Sequence, residues 1–217
     1  MEITLKSYID KADINKPLLL QELLILYPYI KEGTLRQSLK RLVDDGVLFR
    51  ATRGVYYKPN PSRITLEPIL DTDTIIERKY LSKDQTIIGY IGEFELANRL
   101  GISTQTPSIT TIVTNTVLTK SKIVLIGKRR FKVLKPRVFI TNSNYKLLQV
   151  LDLMNNLDRF SELSFDKTIN VLKDYLGYTK LNRDEINECV TSYPLRTQIL
   201  FYKERVWDEL TPKRDPF

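Results

Sequence analysis

The 217-residue sequence has no histidine and a single cysteine, Cys189. The first absence removes Ser–His and Cys–His nucleophile pairs and the common histidine-containing zinc sites. The second excludes an internal disulfide and thiolate zinc sites. Catalysis, if there were any, would rest on carboxylates, lysines or tyrosines. Long apolar runs are also missing. The richest stretch, Leu18 to Ile30, is broken by Gln21 and Glu22 and falls short of the roughly 20 residues a membrane-spanning helix needs. Nothing resembles a secretion signal, so the expected setting is a reducing, cytoplasmic one without a membrane role. What the chain has in excess is positive charge: 34 lysines and arginines against 26 acids, net +8, with a pI near 9.4. That balance favours a polyanionic partner, or an acidic protein. The length allows one large or two modest domains, each with its own core.

The stretch from about Ile14 to Pro59 organises the rest. Leu18, Leu19, Leu23, Leu24 and Ile25 recur at three- and four-residue steps, the spacing of a buried helix face. Pro28 ends that helix because it lacks an amide donor and restricts the residue before it. A second helix is predicted from Gly33 or Thr34 to Asp45, with Gly46 as its C-terminal cap. Leu35, Leu39, Leu42 and Val43 share one side of it, while Arg36, Gln37, Lys40, Arg41 and Asp44 fall on the other. Val47–Phe49 and Val55–Tyr57 then read as two strands around Arg50-Ala51-Thr52-Arg53-Gly54. Helix, turn, helix and basic hairpin is the pattern of a winged helix-turn-helix, which lays one helix in the DNA major groove. Arginine suits guanine edges and glutamine suits adenine, while lysine serves phosphates. From Lys31 to Arg63 eight cations face only three acids. The plain alternative is a solvated basic module with no nucleic-acid role.

Met1 to about Lys11 reads as a first helix packing on this pair. Lys58-Pro59-Asn60-Pro61-Ser62 marks a boundary, giving a winged-helix domain over 1–60 and an α+β domain over 61–217. In the latter, Leu66 to Leu81 is predicted as one or two helices. Asp71 and Asp73 there form a D-x-D pair of the kind nucleotidyltransferases use for metal. They also suit the start of a helix, where the dipole favours acids. Gly89 and Gly92 do not fit a dinucleotide loop, and close packing or a turn accounts for them. Glu93 to Leu100 is read as a helix capped by Gly101. Strands are predicted over Ser108–Asn115, Ile123–Ile126 and Phe131–Leu134, with Val138–Ile140 as a fourth. They would form a small antiparallel sheet. Lys120 to Lys146 carries nine cations and no acid. Its core is Lys128, Arg129, Arg130, Lys132, Lys135 and Arg137, a second basic surface for nucleic acid, for an acidic partner or for edge protection. From about residue 143 the chain is predicted helical, over Tyr145–Leu157, Phe165–Leu176, Arg183–Ser192 and Pro194–Leu210. Asn182 with Glu185 is a capping-box start.

Taken in order, these segments resemble the AbiEi-type antitoxins of type IV toxin–antitoxin (abortive infection) systems. The resemblance rests on LRQSLKRLVDDGVLFRATRGVYYKP (35–59) and GYIGEFELANRLGISTQTPSITTIVTN (89–115). The hairpin IVLIGKRRFKVLKPR and the late Tyr193-Pro194-Leu195-Arg196 add to it. It implies a DNA-binding regulator that represses its own operon at promoter inverted repeats and counteracts a nucleotidyltransferase toxin encoded beside it. It also implies no catalysis, cofactor or metal. On that pattern Thr34, Arg36, Gln37, Lys40 and Arg41 read DNA, and Arg50, Arg53 and Lys58 belong to the wing. The set from Lys128 to Arg137 holds DNA or faces the toxin. Glu93-Phe94 stands where the family often has small residues. Three rivals remain: a winged-helix regulator without a toxin, a nucleotidyl- or phosphoryl-transferring enzyme working through Asp71, Asp73 and the basic hairpin, and a protein-only adaptor with no DNA affinity.

Overall fold

A computed structural model describes residues 4–60, 70–177 and 181–210. Contacts divide the chain into two compact units, Met1–Lys79 with Leu125–Arg129, and Tyr80–Val124 with Arg130–Phe217. The expected boundary after Asn60 adjoins residues 61–69, which lie outside the described residues together with the beginning of the helix expected from Leu66.

In the first unit, α1 (Leu5–Lys11) starts at Thr4, whose side chain accepts from the Ser7 amide. It is followed by β1 (Leu18–Leu19), α2 (Leu20–Leu26), α3 (Glu32–Asp44), β2 (Phe49–Thr52) and β3 (Val55–Tyr57). Leu18 and Leu19, expected on the helix, form a short strand instead. They pair antiparallel with Tyr56 and Val55, and the Leu20 amide donates to Gly54 O at 2.9 Å. Their side chains are buried either way, so apolar spacing alone does not separate the two states. The sheet order is β1-β3-β2. β2 starts at Phe49 rather than Val47, because the amides of Val47 and Leu48 both return to Leu42 O behind Gly46. Gly46 has φ +72°, the left-handed conformation of a helix C-terminal cap. One core gathers Ile9, Leu20, Leu23, Leu35, Leu39 and Leu48. After the undescribed stretch, α4 (Thr72–Ile76) is capped by Asp71, which accepts from Thr74 N, and runs into one π-helical turn over Glu77–Leu81.

In the second unit, β4 (Ser82–Lys83) and β5 (Thr86–Ile87) form a small hairpin. The main sheet combines β6 (Gly89–Gly92), β7 (Thr110–Thr114), β8 (Ser121–Ile126) and β9 (Arg129–Leu134) in the order β6-β7-β9-β8; the tip, Leu125–Arg129, is counted with the first unit. β6 pairs antiparallel with β7, but β7 and β9 run parallel, so the sheet is mixed rather than wholly antiparallel. The chain leaves β7, crosses to the edge as β8 and returns as β9 beside β7. The strand expected over Val138–Ile140 does not form. The Asn115 side chain takes the ladder's place, accepting from Ile140 N at 3.0 Å and donating to Ile140 O at 2.9 Å. β6 supplies the fourth strand. Gly89 lies between two backbones there: an added Cβ would overlap Tyr80 O and come within 2.7 Å of Val113 O.

Between these strands lies α5 (Glu93–Arg99), closed by Gly101 at φ +69°. The helices that follow are α6 (Tyr145–Asn155), α7 (Leu157–Phe160), α8 (Phe165–Leu176), α9 (Arg183–Thr191), α10 (Leu195–Lys203) and α11 (Trp207–Leu210). The capping box of Asn182 and Glu185 is present on α9. The last expected helix is broken at Arg205, which has φ +55°. The core of this unit packs Leu147, Leu151, Phe160, Leu172, Val190 and Phe201. Among the described residues no helix is long and apolar enough to cross a membrane.

Candidate nucleic-acid interface

α3 divides its residues by chemistry. Leu35 and Leu39 are fully buried, with Leu42 and Val43 packed partly against the same core. Thr34, Gln37, Lys40 and Arg41 are exposed on the opposite face. Arg36 is held closer: its Nε and Nη2 donate to Glu32 Oε1 at 2.8 and 2.6 Å. Acid first and cation four residues later is the favoured sense of such a helical pair. Among the described residues, no carboxylate pairs with Lys40 or Arg41, so both charges face solvent.

The β2–β3 hairpin adds Arg50 and Arg53, both exposed. β2 carries a bulge between Arg50 and Thr52, an irregularity that bends the strand and increases its local twist. The turn is Arg53-Gly54, tighter than the five-residue connection expected, and φ +75° at Gly54 suits it to glycine. Lys79 Nζ donates to Arg53 O at 3.1 Å, and Thr52 Oγ1 donates to Leu125 O at 3.4 Å, so the turn is tied from behind while the Arg53 side chain stays outside. Lys58 behaves differently from its expected wing role. It is half-buried, and its ammonium donates to Asp10 O at 2.7 Å, tying the hairpin's exit to the end of α1.

The second basic set does not present one free cationic face. Lys128 and Arg129 fall in the first unit, where Arg129 pairs with Asp73 at 3.0 Å. Asp71 and Asp73 are therefore a helix cap and an ion-pair partner. The other four cations belong to the second unit. β9 alternates, burying Phe131 and Val133 and turning Arg130 and Lys132 the other way. Lys132 Nζ lies 3.3 Å from Glu93 Oε1, whereas Lys135 and Arg137 line a cleft.

That cleft, about 920 Å³, is what sequence reasoning missed. On its floor Asp152 accepts hydrogen bonds from Tyr90 (Oη to Oδ2, 2.7 Å) and Tyr193 (Oη to Oδ1, 2.8 Å). Burial pushes the Asp152 carboxyl above its ordinary range, although both phenol bonds and the Arg137 charge pull it down. Burial, with the neighbouring carboxylate, also pushes both phenols well above 10. The Arg137 guanidinium sits 4.9 Å from the Tyr193 ring centroid. Glu93 enters α5 at φ +53°, receiving Thr111 Oγ1 at 2.6 Å on Oε2 and Lys132 on Oε1. One signal was visible in the sequence: Asp152 is the only acid in α6, set among Leu147, Leu148, Val150, Leu151 and Leu153.

A family model matches residues 14–176, three quarters of the chain. The protein belongs to DUF6088, a family of unknown function. The DUF6088 match begins in the segment leading to β1 and ends with α8, so it takes in α3, the basic hairpin, the Glu93–Lys132 pair and Asp152. Among curated proteins none matches the chain.

Proposed function

We propose that this protein binds double-stranded DNA through α3 and the β2–β3 hairpin and regulates transcription. The first unit's element order and its β1-β3-β2 sheet are read as a winged helix-turn-helix, with α3 as the recognition helix. The single observation carrying this reading is the division of α3. Its leucines are buried, while Gln37, Lys40 and Arg41 stay exposed on one face and Arg36 is held by an exposed carboxylate. In this reading Arg36, Gln37 and Arg41 face base edges, Thr34 and Lys40 face phosphates, and Arg50 and Arg53 contact the flanking backbone or minor groove.

The resemblance to the AbiEi-type antitoxins extends the proposal. The target is then an inverted repeat in the protein's own promoter, bound by two copies, and the second unit counteracts a nucleotidyltransferase toxin from the same operon. Mobility shift with the upstream intergenic DNA tests the first part, with unrelated DNA as competitor. Arg36→Ala/Arg41→Ala should abolish the specific shift while the circular dichroism spectrum stays unchanged; an unaltered shift removes α3 from the interface. Co-expression with the product of the neighbouring gene tests the second part, and toxicity that the protein does not relieve removes the antitoxin role.

A further inference from the structure

The cleft of the second unit has no part in the DNA-binding reading, and its chemistry is sorted by depth. Lys120, Lys135 and Arg137 stand exposed among its lining residues. The Lys135 amide donates to Lys120 O at 3.2 Å, which brings the two lysine-bearing segments together. Among the described residues, no carboxylate forms an ion pair with any of these three cations. Arg137 is fixed in place by its stack on Tyr193 and by donation from Nη1 to Ser192 O at 3.3 Å. Leu118, Leu134 and Pro136 give the cleft an apolar wall. The deeper carboxylates, Asp152 and Glu93, are acceptors, each already oriented by hydroxyl donors, and Asn156 supplies both a donor and an acceptor.

We propose that this cleft binds a nucleoside phosphate, with the phosphate on Lys120, Lys135 and Arg137 and the nucleoside against Leu118, Leu134 and Pro136. Three exposed cations lining one cleft match a multiply charged anion better than a single carboxylate. The apolar wall offers the flat face of a base a surface to leave water on, and Asp152 and Asn156 can receive ribose hydroxyls or the edge of the base. Inorganic phosphate would leave that wall and the polar floor unused. The volume sits near the upper end of the roughly 300–1,000 Å³ of small-molecule sites, which a nucleotide suits. The same chemistry comes from two sources, a free nucleotide or the phosphorylated end of a nucleic-acid strand.

Isothermal titration calorimetry on the full chain tests this, in the Arg36→Ala/Arg41→Ala background so that binding by α3 does not contribute. The probes are AMP, ATP, GMP and GTP, the matching nucleosides, inorganic pyrophosphate, and a short single-stranded oligonucleotide with and without a 5′ phosphate. At least one nucleotide should bind saturably, more tightly than its nucleoside and than pyrophosphate. Lys120→Ala/Lys135→Ala should weaken that binding by about tenfold or more, the loss expected from one charge-assisted hydrogen bond. Both side chains are exposed, so the fold should survive, and an unchanged melting curve checks it. Tighter, phosphate-dependent binding of the oligonucleotide assigns the site to a strand end, and the reverse order assigns it to a free nucleotide. Absence of saturable binding by every phosphate-bearing probe overturns the proposal. So does undiminished affinity in the lysine variant, or pyrophosphate binding as tightly as any nucleotide.

Discussion

Gly89→Ala and Gly92→Ala place the same methyl group at the two ends of one strand, and the structure assigns them opposite outcomes. At Gly89 the new Cβ would overlap Tyr80 O, approach Val113 O to 2.7 Å and approach Thr114 Cβ to 2.9 Å. Two of those three neighbours are backbone carbonyls, and Gly89 itself pairs with Thr114 in the β6–β7 ladder. Nothing there can swing aside as a side-chain end would. Relief requires β6 to move away from β7 or from the turn at Tyr80, so the cost should reach the top of the range for overpacking, about 3 kcal/mol. For a chain of this size that corresponds to a fall in melting temperature of roughly 6–12 °C. At Gly92 the nearest atom would be Tyr90 Cε2 at 3.8 Å, ordinary contact, and the backbone is extended at φ −122°. Alanine there should change stability by less than about 1 kcal/mol, with a gain if restriction of the unfolded chain dominates. Urea unfolding followed by circular dichroism reads both variants. Equal stability of the two would refute the view that Gly89 is glycine because two backbones leave no room for a side chain.

Four further outcomes are expected. Lys40→Ala should lower the slope of log K against log salt on operator DNA by about 0.9, the share of one phosphate contact; mobility shifts over a salt series give the slope, and an unchanged slope counts against phosphate contact by this side chain. Glu32→Gln releases Arg36 from its 2.6 Å pair. Exposed pairs of this kind contribute about 0.2–1 kcal/mol, so DNA affinity should rise by up to about fivefold, and a loss of affinity would contradict the pairing as a competitor. The Asp152 carboxyl is raised by burial in the folded protein, so it stabilises the fold most below the unfolded carboxylate range, and that contribution is lost as pH rises through the folded value. Asp152→Asn should remove this dependence, so its melting temperature should gain on the wild type from about pH 4 upward; parallel curves would sink the assignment. Cys189 is buried, and its thiol is pushed up to about 11, chiefly by burial. It should resist thiol reagents at pH 8 until urea unfolds the protein, and immediate labelling would contradict its burial.

The sequence made α3 legible because a 13-residue amphipathic helix repeats its signal over several turns, and Gly46 marks its end. The hairpin strand β3 and the start of α9 were legible for a similar reason: turn glycine and capping box are local devices. β1 was hidden because two buried leucines read alike on a strand or a helix face. The missing Val138–Ile140 strand failed on a long-range event, since an asparagine 25 residues earlier occupies both backbone positions of Ile140. The parallel pairing of β7 with β9 was out of reach too, because periodicity reports faces and not neighbours. The cleft was least visible of all. Tyr90, Asp152 and Tyr193 come from one strand, one helix and one inter-helix turn, and no spacing rule joins them.

The first unit is interrupted in sequence, since Leu125–Arg129 belong to it although residues 80–124 do not. A ribosome therefore completes the first unit only after it has made the opening strands of the other unit. Leu125, whose carbonyl receives Thr52, and Arg129, which holds Asp73, arrive late. A gene cut after Asn60 would yield helices and hairpin without Leu125 and Lys79, which tie Thr52 and Arg53, so expression of the fragment alone underestimates how firmly the intact polypeptide holds its basic tip.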